Sequence, residues 1–114
     1  MAQPRNILIV DDELLIAMGS ETVVTDLGHR AFLAHTAEDA LKAIRTDSMD
    51  LVLLDLMLQG RESVSVAQEL LDRNIPFIVC SGSNDPSSPI FEHAPYLMKP
   101  CRDADLAAAI DEIL

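Results

Sequence analysis

A chain of 114 residues is one domain in length and too short for two of ordinary size. Hydrophobic residues make up 49% and aromatic ones only 4%, so Leu, Ile, Val, Met and Ala must fill the core. Nineteen acidic residues against 8 basic ones give a net charge of −11, which excludes binding to the nucleic-acid backbone through a broad positive surface.

No apolar run approaches the roughly 20 residues of a membrane helix, so membrane insertion is not expected. The start, Met1-Ala2-Gln3-Pro4-Arg5-Asn6, lacks the pattern of a signal peptide, and the expected location is cytoplasmic. The native-looking start favours a complete small protein over an excised fragment. Cys80 and Cys101 lie far apart in the chain and carry no local metal-ligand or redox motif; Cys80 ends an apolar run and reads as a buried thiol.

In chain order, residues 6–10 form a first strand. Residues 13–27 form a helix whose apolar surface draws on Leu14, Leu15, Met18, Val23 and Leu27, with Gly28 as its stop. Residues 31–34 are a short second strand. Thr36 caps the next helix, with Glu38 and Asp39 near its positive end and Ala37, Ala40, Leu41 and Ile44 at helical spacing. The nearly continuous apolar run 50–54 is a strand buried on both faces. A loop containing Gly60 leads to a helix over about 62–73, with Val64, Ala67, Leu70 and Leu71 inward. Pro76 opens the strand 77–80, residues 95–98 form a fifth strand, and 103–114 the last helix. Pro86 and Pro89 oppose a long helix in 81–94, where one short turn near 88–93 is expected.

Five strands alternating with helices imply an α/β fold: an open parallel sheet with right-handed crossovers and strand order 2-1-3-4-5, a flavodoxin-like three-layer sandwich over 1–114 with a short, distorted or missing fourth helix. Such a sheet binds ligands beyond the carboxyl ends of its strands. Here those ends carry polar residues: Asp11-Asp12-Glu13, Asp55, Ser81-Gly82 and Lys99-Pro100. Three carboxylates at neighbouring strand ends form a hard-oxygen site suited to Mg²⁺. Asp55 can attack an activated phosphoryl group, while Ser81 and Lys99 can serve the phosphoryl oxygens. An Asp-Asp pair alone is more often solvated surface or a helix cap; the common location of all five groups carries the reading.

These motifs, Ile7-Leu8-Ile9-Val10-Asp11-Asp12-Glu13, Leu53-Leu54-Asp55-Leu56, Phe77-Ile78-Val79-Cys80-Ser81-Gly82 and Lys99-Pro100, resemble those of the response regulator receiver domains of two-component signalling, a CheY-like superfamily. The resemblance covers nearly all of the chain. It implies that Asp55 accepts a phosphoryl group from a phosphohistidine on a sensor histidine kinase or histidine phosphotransfer protein. It also implies that Asp12, Asp55 and the Met57 backbone carbonyl touch Mg²⁺, with Asp11 acting through water. Ser81 and Tyr96 would be the moving switch residues, Lys99 would pair with the phosphoryl group, and Lys99-Pro100 would be a cis peptide.

The resemblance implies self-catalysed aspartyl phosphorylation and dephosphorylation rather than metabolic catalysis. Met57 and Gly82 are expected to set the phosphoryl lifetime, because a thioether cannot readily orient a hydrolytic water. A haloacid-dehalogenase-like phosphatase is disfavoured, since Met57 stands where that family has a second Asp.

Departures lie in the proline-interrupted 81–94 segment and at Cys101, where the family often has Phe. This pattern is closer to single-domain alphaproteobacterial receivers and makes helix-mediated dimerisation doubtful; a monomer or weak dimer is expected. The output is a phosphorylation-controlled switch acting on a downstream protein; a phosphate shuttle or sink, or a phosphorylation-independent interaction module, are the alternatives. Leu14, Leu15 and Met18 are candidates for the phosphodonor contact. His29, His35 and His93 share no metal spacing and are read as surface or packing residues.

Overall fold

A computed structural model describes residues 3–82 and 88–114. The main sheet has five parallel strands, β1 (Asn6–Val10), β2 (Arg30–Ala34), β3 (Leu51–Asp55), β6 (Phe77–Ser81) and β7 (Tyr96–Met98), in the order β2-β1-β3-β6-β7. This is the expected 2-1-3-4-5 order. The added numbers belong to a small antiparallel hairpin, β4 (Met57–Leu58) and β5 (Arg61–Glu62), in place of the expected Gly60 loop. Its tip, Gln59 and Gly60, has φ of 52° and 79°, the paired left-handed conformation that two-residue hairpin turns require.

The helices are α1 (Leu14–Asp26), α2 (Ala37–Thr46), α3 (Val64–Asp72) and α4 (Asp103–Ile113). The central strands β1, β3 and β6 are buried on both faces, so their alternation sorts side chains into two cores rather than into core and solvent. Ile7, Ile9, Leu51, Leu53 and Ile78 meet α1 and α4 through Ala17, Val24, Leu106 and Ile110. Leu8, Val10, Val52, Leu54 and Val79 meet α2 and α3 through Ala40, Ile44, Val66 and Leu70. All five residues of β3 are buried, as its central place demands.

α1 departs from the expected packing. Its buried residues are Ala17, Val23 and Val24, while Leu14, Leu15 and Met18 are 56%, 83% and 48% exposed. The helix is apolar nearly all round, so helical spacing alone could not pick its inward stripe. In α3 the buried residues are Val66, Ala67 and Leu70, whereas Val64, the first residue of the helix, is exposed.

The Thr36 hydroxyl caps α2 as expected, accepting from the Asp39 N–H at 3.0 Å. The short turn near 88–93 is a 3-10 helix over Pro89–His93 that buries Phe91 against the α2–α3 side. The proline falls in its first turn, where the missing N–H costs nothing. The expectation for 83–87 lies outside the described residues.

Leu54 is fully buried and its neighbours cannot close over a void. Leu54→Ala is expected to cost about 2–5 kcal/mol in urea unfolding, whereas Leu15→Ser is expected to stay within about 0.5 kcal/mol.

Candidate functional site

The period of the strands decides what reaches the cleft. Asp55 follows Leu53 on the α1–α4 face of β3, and β1 leads directly into Asp11. Both carboxylates are buried, at 7% and 5% exposure, whereas Asp12 is exposed. Lys99, just past β7, reaches back over the sheet end. Its Nζ lies 3.0 Å from Asp11 Oδ2 and 3.2 Å from Asp55 Oδ2, so one ammonium bridges two buried carboxylates. The Lys99–Pro100 peptide is cis, and the Lys99 N–H donates to the Ser81 carbonyl at 2.7 Å.

Backbone donors fix the carboxylates. The Glu13 N–H donates to Asp11 Oδ1 at 2.9 Å, the Gln59 N–H to Asp12 Oδ2 at 2.9 Å, and the Met57 N–H more weakly to Asp55 Oδ1 at 3.4 Å. The β4–β5 hairpin therefore leans on the acidic pair. Ser63, buried just before α3, donates its hydroxyl to the Asp55 carbonyl at 2.7 Å and pins the end of β3. His35 lies 3.1 Å from the Asp11 carbonyl through Nδ1; since a carbonyl only accepts, Nδ1 carries the proton.

Neither Ser63 nor His35 was assigned a role from sequence. By sequence His35 reads as a surface or packing residue. Ser63 stands at a helix start, a position that signals capping rather than support of a strand end.

The electrostatics follow from this crowding. Burial, opposed by Lys99 and reinforced by the Asp11 charge, pushes Asp55 up to about 6. Burial alone would lower Lys99, but its hydrogen bond to Asp11 and the charges of Asp55 and Asp11 outweigh that and hold it above its ordinary value.

Asp11, Asp12 and Asp55 each offer an oxygen, all within 4.8 Å of one another. This is the donor set of a hard divalent cation, and three carboxylates face one ammonium. The residues therefore fit Mg²⁺. They adjoin a cleft of about 770 Å³ that Ser81, Gly82, Met57, Pro100 and Cys101 also border. Ser81 is buried, Met57 is 38% exposed, and space beside the Gly82 Cα is open.

Tyr96 is elsewhere. Paired with Val79, its ring packs on the α2–α3 side, and its hydroxyl is buried without a hydrogen-bond partner among the described residues.

Residues 7–111 match the model of the response regulator receiver domain. Curated relatives include the positive alginate biosynthesis regulatory protein of Pseudomonas aeruginosa, 36% identical over 92% of this chain and 45% of that one. Another is the probable transcriptional regulator ycf27 of Cyanidium caldarium, 33% identical over 96% and 46%. The chain thus spans about half the length of the curated relatives it matches.

Among solved structures, SdrG from Sphingomonas melonis Fr1 is 34% identical with a TM-score of 0.85, covering 99% of this chain and 98% of that one. The CheY-like receiver domain protein from Methanospirillum hungatei JF-1 is 27% identical with a TM-score of 0.87, covering 96% and 93%. The chain belongs to the response regulator receiver family. Its fold carries an Asp11, Asp12 and Asp55 cluster consistent with the phosphoryl-accepting, Mg²⁺-binding site of phosphorelay switches. That cluster is likewise consistent with self-phosphorylation and dephosphorylation rather than metabolic catalysis. Among the described residues, no helix is long and apolar enough to cross a membrane.

The raised Asp55 sets a pH dependence. The folded carboxyl binds its proton more tightly than the unfolded one, so acid favours the folded state. The metal-free protein should lose stability as pH rises from about 4 through about 6, and Asp55→Asn should flatten that slope in urea titrations. Mg²⁺ affinity should fall about tenfold per pH unit below about 6, read by calorimetric titration.

Proposed function

We propose that this chain is a phosphorylation-controlled signalling switch that takes a phosphoryl group from a phosphohistidine onto Asp55. The observation that carries the reading is Lys99 bridging Asp11 and Asp55 beside a cation-fitting carboxylate cluster. One Asp55 oxygen attacks phosphorus as the P–N bond breaks, and the departing imidazole nitrogen takes the electron pair and then a proton. Lys99 gives up its contact with the Asp55 carboxylate for a phosphoryl oxygen, and the Ser81 hydroxyl donates to another.

Asp12, Asp55 and the Met57 carbonyl would hold Mg²⁺, with Asp11 behind them. The ion supplies charge neutralisation for the phosphoryl oxygens. Ser63 and His35 hold the two strand ends at which this happens.

Tyr96 is the second switch element. Among the described residues its buried hydroxyl has no hydrogen-bond partner, and such a group costs free energy in its present place. A Ser81 displacement that lets the ring turn outward would return that hydroxyl to water and change the face beside β7 and the 3-10 helix, where a downstream protein would dock.

The exposed Leu14, Leu15 and Met18 lie on α1, the helix whose Ile16, Gly19 and Ser20 border the cleft, and form the phosphodonor contact. The donor is a sensor histidine kinase or phosphotransfer protein, the setting is cytoplasmic, the whole of 1–114 acts as one receiver domain, and the molecule is a monomer or weak dimer.

Labelled phosphoryl transfer from a phosphorylated histidine phosphotransfer domain tests the reading. Label should reach the wild type and not Asp55→Asn; failure to label a folded wild type across several donor domains would count against it. Leu15→Asp should slow this transfer by about tenfold, equivalent to about 1.4 kcal/mol, without slowing uptake from acetyl phosphate. Rapid return of label to the histidine domain would identify a shuttle instead of a switch. Met57→Glu should speed loss of the phosphoryl group by about tenfold by offering a carboxylate to orient water; an unchanged rate in a folded variant would assign lifetime to loop geometry.

A further inference from the structure

The cleft does not end at the carboxylates. Its volume of about 770 Å³ falls within the roughly 300–1,000 Å³ of small-molecule sites. A cation with its waters and a phosphoryl group need on the order of 200 Å³, at ~30 Å³ for each water-sized group. The remainder lies along the α1–α4 face of the sheet, bordered by Ile16, Gly19, Leu53, Cys80, Cys101 and Leu106. Two features show that the helices do not close over this end of the sheet. Cys80 is the one residue of β6 that is not buried, although β6 lies between β3 and β7 and Cys80 packs on the inner face. Gly19 stands inside α1, where glycine costs helix stability, and a Cβ built there would meet nothing within 4 Å. The wall of the cleft is bare at that point.

The two ends of the cleft differ in chemistry. At one end Asp11, Asp12 and Asp55 offer oxygens within 4.8 Å of one another. An ammonium already sits among them, since Lys99 Nζ contacts Asp11 and Asp55 at 3.0 and 3.2 Å. Among the described residues no cation pairs with Asp12, so the cluster keeps an excess of negative charge. Leu53 precedes Asp55 by two residues on the same face, so the apolar floor begins about 6.6 Å along the strand from the carboxylate.

We propose that the cleft is a binding site for a small amphipathic primary amine, its ammonium on Asp12 and Asp55 and its apolar body between α1 and α4. A primary ammonium is compact and brings three donors and no acceptor, which suits carboxylates that present only acceptors. In the metal-free cleft a carboxylate or phosphate head would meet like charge. The body contributes by leaving water for the apolar floor. The amine occupies the oxygens that Mg²⁺ requires, so the two exclude each other and the bound amine holds the domain metal-free. The consequence for signalling rests on Asp55 as phosphoryl acceptor; the binding does not.

Calorimetric titration of the metal-free full chain with 4-phenylbutylamine at neutral pH tests the site. Saturable one-to-one binding is expected. Methylamine, which has the head alone, and 4-phenylbutyrate, which has the body with an anionic head, should each bind about tenfold or more weakly. Saturating Mg²⁺ should weaken the amine by a similar factor. Gly19→Leu puts a side chain on the bare wall at a helical position and should weaken it about tenfold, with the fold checked by urea unfolding. In the wild type, nuclear Overhauser contacts should join the phenyl protons to the Leu53 and Leu106 methyl groups, which locates the site whether or not the variant folds. No binding, equal binding of either control, indifference to Mg²⁺ or to Gly19→Leu in a folded variant, or contacts only with the exposed Leu15 and Met18 would each overturn the proposal.

In the second arm, 4-phenylbutylamine should slow phosphoryl uptake from acetyl phosphate, and raising Mg²⁺ should relieve the inhibition. Uptake unaffected at saturating amine would overturn the claimed exclusion. If the protein takes up no phosphoryl group without amine, the acceptor reading of Asp55 fails, and with it the consequence for signalling, while the titration alone decides the site.

Discussion

Two buried carboxylates sharing one ammonium are the constraint on which this domain turns. Like charges about 4 Å apart at an effective dielectric of about 20 repel by about 4 kcal/mol, a large part of the roughly 5–15 kcal/mol that holds a domain folded. Asp11 and Asp55 tolerate each other because Lys99 contacts both. Burial nevertheless keeps Asp55 above its ordinary value, and with Asp12 beside them three carboxylates face one ammonium. An incompletely neutralised acidic pocket is one that a divalent cation and then a phosphoryl group can enter, each altering what Lys99 must balance.

The rest of the fold serves that placement. Parallel strands buried on both faces bring their carboxyl ends to one edge, and the order β2-β1-β3-β6-β7 sets the ends of β1 and β3 side by side. Ser63 and His35 then fix the backbone at the two acidic positions, and the β4–β5 hairpin reaches Asp12 through the Gln59 N–H. The strand ends are held from behind through the Asp55 and Asp11 carbonyls, while backbone amides and Lys99 hold carboxylate oxygens on the cleft side.

Much of this was legible in the sequence, for a physical reason. An apolar run ending in a charge is a strong signal when the strand is buried, because the charge must sit where it can be solvated or paired. Asp11, Asp12, Asp55 and Lys99 announce themselves in that way, Ser81 as a hydroxyl at the matching strand end, and their convergence follows from the strand order. α1 was not legible: with apolar residues nearly all round, its inward stripe of Ala17, Val23 and Val24 could not be told from Leu14, Leu15 and Met18. Ser63 and His35 were hidden because they act on backbone carbonyls. The hairpin at Met57–Glu62 was hidden by its brevity, two residues a strand.

The central claim is that the compensated cluster makes Asp55 a phosphoryl acceptor. Intact mass after incubation with acetyl phosphate tests it most directly, in the presence and absence of Mg²⁺, for wild type, Asp55→Asn and Lys99→Ala. The account predicts one phosphoryl adduct in the wild type, none in Asp55→Asn, dependence on Mg²⁺, and a slower approach to the adduct in Lys99→Ala. An adduct that persists in Asp55→Asn, or its absence from a folded wild type with Mg²⁺ and excess donor, would contradict it.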